Sequence, residues 1–277
     1  MQIQWYPGHI AKAEQELQTQ LKRVDVVLEV RDARILVASG HPEVSRWAQG
    51  KQHLVICNRM DMIAPADQQA WQKYLNQQHL TAIFTDGRTG RGVEEIMQAV
   101  QTTAVQVNQR RRQRGMLDRP VRMVVVGFPN VGKSALINRL LKRRVVASAN
   151  RPGVTRQLRW VRISPQIELL DTPGVIPPHL PDQEQAIKLA ICDDIGSASY
   201  DPVLVASRGL ELWHNRGVDL QARYGLSYSS VLPPSGMNYL YHLAHQLDCG
   251  DQQRTAQRVL HDFRTGKLGA VALELPP

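Results

Sequence analysis

The octet Gly127-Phe-Pro-Asn-Val-Gly-Lys-Ser134 constrains this chain more than any other feature. It lies directly after the apolar run Met123–Val126 and directly before the amphipathic stretch Ser134–Leu141. A G-x-x-x-x-G-K-[ST] turn between a strand and a helix aims main-chain N–H groups and a helix N-terminus at phosphate oxygens. In that frame Asn130, Val131, Gly132, Lys133, Ser134 and Ala135 line the cradle, Lys133 also bridges the terminal phosphates, and the Ser134 hydroxyl is a ligand for Mg²⁺. A glycine-rich turn with an incidental lysine would not need both flanking elements. The chain therefore carries a phosphate-binding loop within an α/β sheet.

Two segments downstream complete that half of a site. Gln157–Ile163 and Ile167–Leu170 flank Ser164-Pro165-Gln166 and predict a hairpin. Asp171-Thr-Pro-Gly174 follows it. An aspartate at such a strand end holds Mg²⁺, usually through a water, and Gly174 offers its N–H to the last phosphate. Between the loop and the hairpin, Thr155 of Pro152-Gly-Val-Thr155 can close the Mg²⁺ shell.

The base is read upstream. Asn58-Arg-Met-Asp61 ends the apolar run Leu54–Cys57 and resembles the N-K-x-D motif, whose aspartate accepts from guanine N1–H and N2–H₂. Adenine lacks that donor pair and would leave a carboxylate unpaired, so the motif selects GTP and GDP. One β-α unit later comes Thr85-Asp86-Gly87, where such a site gives guanine O6 a main-chain N–H. Arg59 stands in place of the usual lysine, and its guanidinium can stack on a base plane.

Strands at 24–30, 54–57, 81–84 and 123–126 alternate with helical stretches at 66–78, 93–105 and 134–141, which predicts a mostly parallel sheet flanked by helices. The guanine motifs precede the phosphate motifs, the reverse of the common order. The fold class that follows is a circularly permuted P-loop GTPase domain over 1–180, with residues 106–120 as a basic linker at the new join. A small all-helical domain follows over 181–277, with helices suggested at 183–194, 237–247 and 252–264.

The net charge of +9 is concentrated. Residues 103–180 hold 15 Lys/Arg against 3 Asp/Glu, while the flanking parts are neutral or acidic. A solvated linker and helix end is one reading of this, and a polyanion partner, RNA above all, is the one the concentration of charge favours. Arg110, Arg111 and Arg112 are the candidate contacts. Cys57, Cys192 and Cys249 have no paired spacing, which argues against a disulfide framework or zinc ribbon and fits a reducing compartment. The histidines show no metal spacing. No segment has the length or composition of a membrane span or signal peptide, so a cytoplasmic protein is expected, with no membrane and no DNA as partner.

These motifs, in this order, resemble the YlqF-type (ribosome biogenesis GTPase A) family of circularly permuted GTPases. The resemblance runs nearly end to end, from Trp5-Tyr-Pro-Gly-His-Ile-Ala-Lys-Ala13 and Val30-Arg-Asp-Ala-Arg34 to Asp262-Phe-Arg-Thr-Gly-Lys-Leu-Gly269. Ile35-Leu36 replaces the Ile-Pro usual after the DAR triplet, and TDG replaces a small Ser-Ala pair. The resemblance implies GTP hydrolysis during late assembly of the large ribosomal subunit, with ribosomal RNA as partner, the chain binding in the GTP state and leaving on hydrolysis. Arg264 and Lys267 are further expected RNA contacts. Two other readings are an RNA-binding module with GTP as a structural ligand, and a permuted GTPase of the small subunit. The latter class carries a barrel or zinc module for which no signal is present.

Catalysis rests on three residues, Lys133, Asn130 and His9. Asn130 occupies the place where G-x-x-N-x-G-K-[ST] GTPases coordinate K⁺ beside the phosphates, although an asparagine also suits a turn. Val175 follows DTPG where many GTPases have a water-orienting glutamine. His9 is the candidate replacement, with packing near Trp5 or RNA contact as its other possible roles. With these sites, basal turnover is expected to be slow and to be stimulated by the ribosomal subunit. Replacement Asp61→Asn is expected to weaken GTP and admit xanthosine triphosphate, whose 2-oxo group accepts from an amide. Competition profiles identical to wild type would remove Asp61 from the base site.

Overall fold

The computed structural model describes residues 17–141, 159–172, 182–231 and 234–277, apart from the side chains of Arg159, Asp171 and Ser230. Six strands form one sheet in the order β3-β2-β1-β4-β6-β5. They are β1 Val26–Asp32, β2 Gln52–Asn58, β3 Thr81–Thr85, β4 Val121–Val126, β5 Arg159–Ser164 and β6 Ile167–Asp171. All are parallel except β5, which pairs antiparallel with β6 as the expected hairpin. The central strands are buried on both faces, and this is why VVLEV and RMVVV are nearly continuous apolar runs rather than alternating ones. The short α1 (Val44–Trp47), then α2 (Pro65–Gln77), α3 (Val93–Gln113) and α4 (Lys133–Leu140) make the connections.

The join differs from the expected linker. Helix α3 runs to Gln113, so residues 106–113 are helical and only a short turn remains before β4. Gln and Arg are good helix formers, and Arg110–Arg112 lie in the last turn, where cations complement the helix dipole. Polar helix ends without an apolar stripe look like linkers when periodicity alone is read. The join is also anchored. Asp25 accepts both guanidinium nitrogens of Arg119 at 2.7 and 2.8 Å and the N–H of Arg122 at 2.9 Å, and the Asn108 amide pairs with the main chain of Arg119.

Beyond residue 182 the described chain is helical: α5 Gln183–Cys192, α6 Pro202–Asn215, α7 Leu220–Tyr224, α8 Gly236–Leu247 and α9 Gln252–Arg264. Each begins at a side-chain cap, from Asp182, Asp201, Asp219, Ser235 and Asp251 in turn. Helix α6 was not evident from apolar spacing, although Asp201-Pro202 is a strong start signal. Its interior Gly209 faces Trp213, whose ring lies 2.9 Å from where a Cβ would stand, so the glycine admits the indole. A single apolar core runs from Val26, Leu28 and Val30 of β1 through α4 and α5 to Trp213, Tyr239 and Phe263.

A buried ion pair fastens the sheet to these helices. Asp32, at the end of β1, receives Arg34 through Nε at 2.9 Å and Nη2 at 2.7 Å, and the same nitrogen donates to Cys192 O of α5 at 3.1 Å. Both side chains are buried, and the guanidinium lies over the Phe263 ring. The Val30-Arg-Asp-Ala-Arg34 segment is thus structural glue. Ile35 and Leu36 are buried behind a 3₁₀ turn that Asp32 caps. Replacement Arg34→Met leaves the Asp32 charge buried and is expected to cost about 3–5 kcal/mol. Adding Asp32→Asn should recover part of that in urea unfolding, and a wild-type midpoint in the single variant would show the pair to be dispensable.

Candidate functional site

Because β1, β2, β3, β4 and β6 run parallel, the segments that follow them all leave one edge of the sheet. This is the usual ligand edge of an open α/β sheet. Asp32, Asn58, Thr85, the 127–134 loop and the backbone of Asp171 meet there. Leu170 pairs with Val124, so β6 delivers Asp171 beside the loop strand, where Thr172 donates to Val125 O. Sequence order places the guanine motifs first, but the sheet makes them neighbours of the phosphate loop.

The Asn58 side chain joins the halves at their centre. The Asn58 amide nitrogen donates to Val131 O at 2.7 Å, and its oxygen accepts from Thr85 Oγ1 at 3.1 Å and from Gly87 N at 3.0 Å. It packs against Gly132, where any Cβ would stand 2.1 Å from the amide nitrogen. Gly132 has φ +98 and admits only glycine on both counts. Gly127, at φ +148, passes so close to β1 that a Cβ would meet Val30 O at 2.3 Å. The loop's shape therefore requires both glycines of the motif. Arg139 of α4 closes the other side through Gly87 O and Arg88 O.

The loop fits an anion. Lys133 is buried, with Nζ on Gly127 O and Phe128 O at 3.0 and 2.6 Å, folded back over the turn it would leave for phosphate. Gly132 ends the turn and α4 starts at Lys133, so Ser134 and Ala135 lie in its first turn, whose N–H groups have no partner within the helix. Ser134 brings to that turn a hydroxyl oxygen, the kind of hard ligand Mg²⁺ takes. His9, Thr155 and Gly174 lie outside the described residues, as does the Asp171 side chain.

The base-reading loops depart from expectation in two ways. Arg59 does not lie open to a base plane. Held at φ +63, it donates to Asn130 O at 2.6 Å and reaches Asp32 at 3.4 Å. The main-chain N–H groups of the Thr85-Asp86-Gly87 turn are also spent. Asp86 N bonds Arg91 O and Gly87 N bonds Asn58, while the Asp86 carboxylate takes Arg88 N and Thr89 Oγ1. Thr85 is buried and supports Asn58 rather than facing solvent. Asp61 remains accessible and pairs with the exposed Arg88 at 3.2 Å. Such a surface pair is worth little and yields readily to a ligand.

Asn130 donates its side-chain nitrogen to Asp193 O at 2.7 Å, a contact to the end of α5 that no motif signals. That leaves the amide oxygen as its acceptor, the right atom for a monovalent cation. Next to it, Asp194 is buried with neither oxygen bonded. Burial and the Asp32 charge push its carboxyl well above the usual range against the pull of Arg59 and Arg34. Burial likewise raises Asp32, but the Arg34 and Arg59 charges and the Arg34 hydrogen bonds outweigh it and hold Asp32 low.

Among the expected RNA contacts, Arg110 and Arg112 are exposed and Arg111 half-buried. Lys267 is half-exposed beside Asp262 at 3.1 Å. Arg264 is a correction: its guanidinium caps α5 through Ile191 O and Ala190 O and meets the Tyr200 hydroxyl, so it is an internal clamp rather than a surface cation. Among the described residues no group of three or more His, Cys, Asp or Glu forms a metal cluster, and no helix is long and apolar enough to cross a membrane.

A family model described as "50S ribosome-binding GTPase" matches residues 122–206. The chain is similar to "Ribosome biogenesis GTPase A" of Bacillus pumilus, at 31% identity over 100% of this chain and 99% of that protein. It matches the protein of the same name from Priestia megaterium at 32%, over 100% and 98%. The crystal structure of GNP-bound YlqF from T. maritima superposes with a TM-score of 0.68 at 22% identity, over 96% of this chain and 98% of that one, which shows a shared fold.

Replacement Asn58→Ala leaves Val131 O, the Thr85 hydroxyl and Gly87 N without their partner. Each unpaired buried group costs about 1–3 kcal/mol, so GDP affinity is expected to fall at least ~10-fold in calorimetry. Unchanged affinity would mean that the two halves hold their positions without it.

Proposed function

The chain belongs to the ribosome biogenesis GTPase A family, and from that premise we propose that it is a GTP-hydrolysing switch of large-subunit assembly. Membership makes it a GTP-binding P-loop GTPase of ribosome assembly with the Mg²⁺ requirement common to such sites. The observation that carries the reading is the Asn58 amide, which holds the Asp61 loop against the phosphate loop despite their reversed order. GTP is the ligand, with guanine on Asp61 and phosphates on 130–135, where Lys133 turns outward from Gly127 O and Phe128 O.

The finer reading is that the chain binds the maturing large subunit and its ribosomal RNA in the GTP state and leaves on hydrolysis. The description of the family model and the exposed Arg110 and Arg112 support this. Residues 181–277 are read as a helical ribosome-binding domain, and the compartment as the cytoplasm. Ser134, Thr155 and Asp171 are assigned to Mg²⁺, and the Asn130 oxygen to K⁺, which supplies positive charge beside the transferring phosphate. His9 is assigned the attacking water, since Val175 cannot orient one. Turnover is slow until the subunit seats that segment.

The test is GTP hydrolysis in K⁺ and in Na⁺, alone and with isolated large or small subunits. Faster turnover in K⁺ and stimulation by large subunits alone are expected, with His9→Ala losing ~10²–10⁴ of the stimulated rate while keeping nucleotide affinity. Stimulation by small subunits would move the site of action. No turnover under any condition would reduce GTP to a structural ligand, and a wild-type stimulated rate in His9→Ala would eliminate that histidine.

A further inference from the structure

The last carbonyls of α5 are helix-end acceptors, and those of residues 190–192 are each met by a side chain from elsewhere. Arg264 of α9 takes Ala190 O at 2.7 Å and Ile191 O at 2.9 Å, and Arg34 takes Cys192 O at 3.1 Å. The next carbonyl, Asp193 O, receives the Asn130 amide nitrogen at 2.7 Å. It reaches the phosphate loop because Asp193 is left-handed, with φ 67 and ψ 25, which turns its peptide out of the helix while its N–H still closes on Ala190 and Leu189. Asn130 is held a second time through its own carbonyl, which accepts from Arg59 at 2.6 Å.

An amide committed by its nitrogen has a fixed oxygen, because the two are the opposite arms of one planar group. An uncommitted asparagine can offer either arm, and the nitrogen arm repels a cation. We propose that Asp193 is a positioning residue: its main-chain carbonyl holds the Asn130 amide so that the oxygen is the arm presented to a monovalent cation beside the phosphates. This rests on the K⁺ reading above and goes beyond it. A carbonyl of the helical region, outside every nucleotide motif, sets the ligand geometry and hence the preference for K⁺ over Na⁺. Arg264 and Arg34 act one step further back, by holding the end of α5 in place.

The prediction separates backbone from side chain. Asp193→Gly keeps the carbonyl and suits the positive φ, so it should leave K⁺ dependence as in wild type. Asp193→Pro cannot reach φ 67, which swings the carbonyl away. It should raise the K⁺ concentration for half-maximal turnover roughly 10-fold, the worth of one lost hydrogen bond, while GTP-analogue affinity in Na⁺ holds. A direct readout is the Asn130 side-chain NH₂ resonance, assigned by its loss in Asn130→Asp. It should stay protected from exchange when K⁺, Mg²⁺ and a non-hydrolysable GTP analogue are bound to the wild-type protein.

Loss of that protection on K⁺ binding would overturn the proposal, since the contact would then be a catch that opens. Unshifted K⁺ dependence in a folded Asp193→Pro, or an equal shift in Asp193→Gly, would overturn it as well. If Asp193→Pro fails to fold, the wild-type resonance decides alone. Equal wild-type rates in K⁺ and Na⁺ would defeat the cation reading itself, and this inference with it. That failure is recognised by occurring in wild type rather than in the variants.

Discussion

The nucleotide edge is organised around one buried amide. Asn58 satisfies a carbonyl of the phosphate loop, a hydroxyl of β3 and an N–H of the turn beyond it. No charged residue could take its place, because the site needs a donor and an acceptor on one rigid plane. A carboxylate would face Val131 O with no proton, and an ammonium would face the Gly87 N–H. The glycine at 132 exists for the same reason, since any larger residue would occupy the space of the amide.

The parallel sheet explains why the order of the halves is immaterial to the site. Strands β2 and β4 never touch; β1 lies between them and pairs with both. Reversing which half is written first changes only where the chain crosses over. The crossover, α3 and the turn after it, is tied to β1 by Arg119 and Asp25. Asp32 and Arg34, at the other end of β1, tie the same strand to α5. The middle strand is thus the post to which the base loop, the phosphate loop and the helical region are all fixed.

Most strands and the two loop motifs were legible because apolar runs and glycine-bearing turns have local causes. Helix α3 runs beyond its apolar spacing, and α6 shows none that marks it, because the cause there is not local. A polar last turn held by its dipole, or a glycine that faces a distant indole, leaves no periodic trace. Arg264 misled for the opposite reason. A basic residue in a Gly-rich segment suggests solvent and phosphate, yet its partners are carbonyls 73 and 74 residues earlier in the chain. The pairing of Asn130 with Asp193 and the turned-in Arg59 are of the same kind. Motifs specify residue types, while the carbonyls that orient them belong to the tertiary fold.

The last residues bear on how such a chain is made. Glu274 accepts from Val37 N and Lys188, Trp71 donates to Glu274 O, and Leu273 N bonds Arg34 O. The base-reading half leaves the ribosome first, but its Asn58 waits for a partner 73 residues later and Trp71 for one 203 residues later. Contacts of such long sequence separation close late and slow folding. Nascent chains of this design hold an unfinished base loop until synthesis has passed the phosphate loop, because Asn58 has no Val131 O to bond before then.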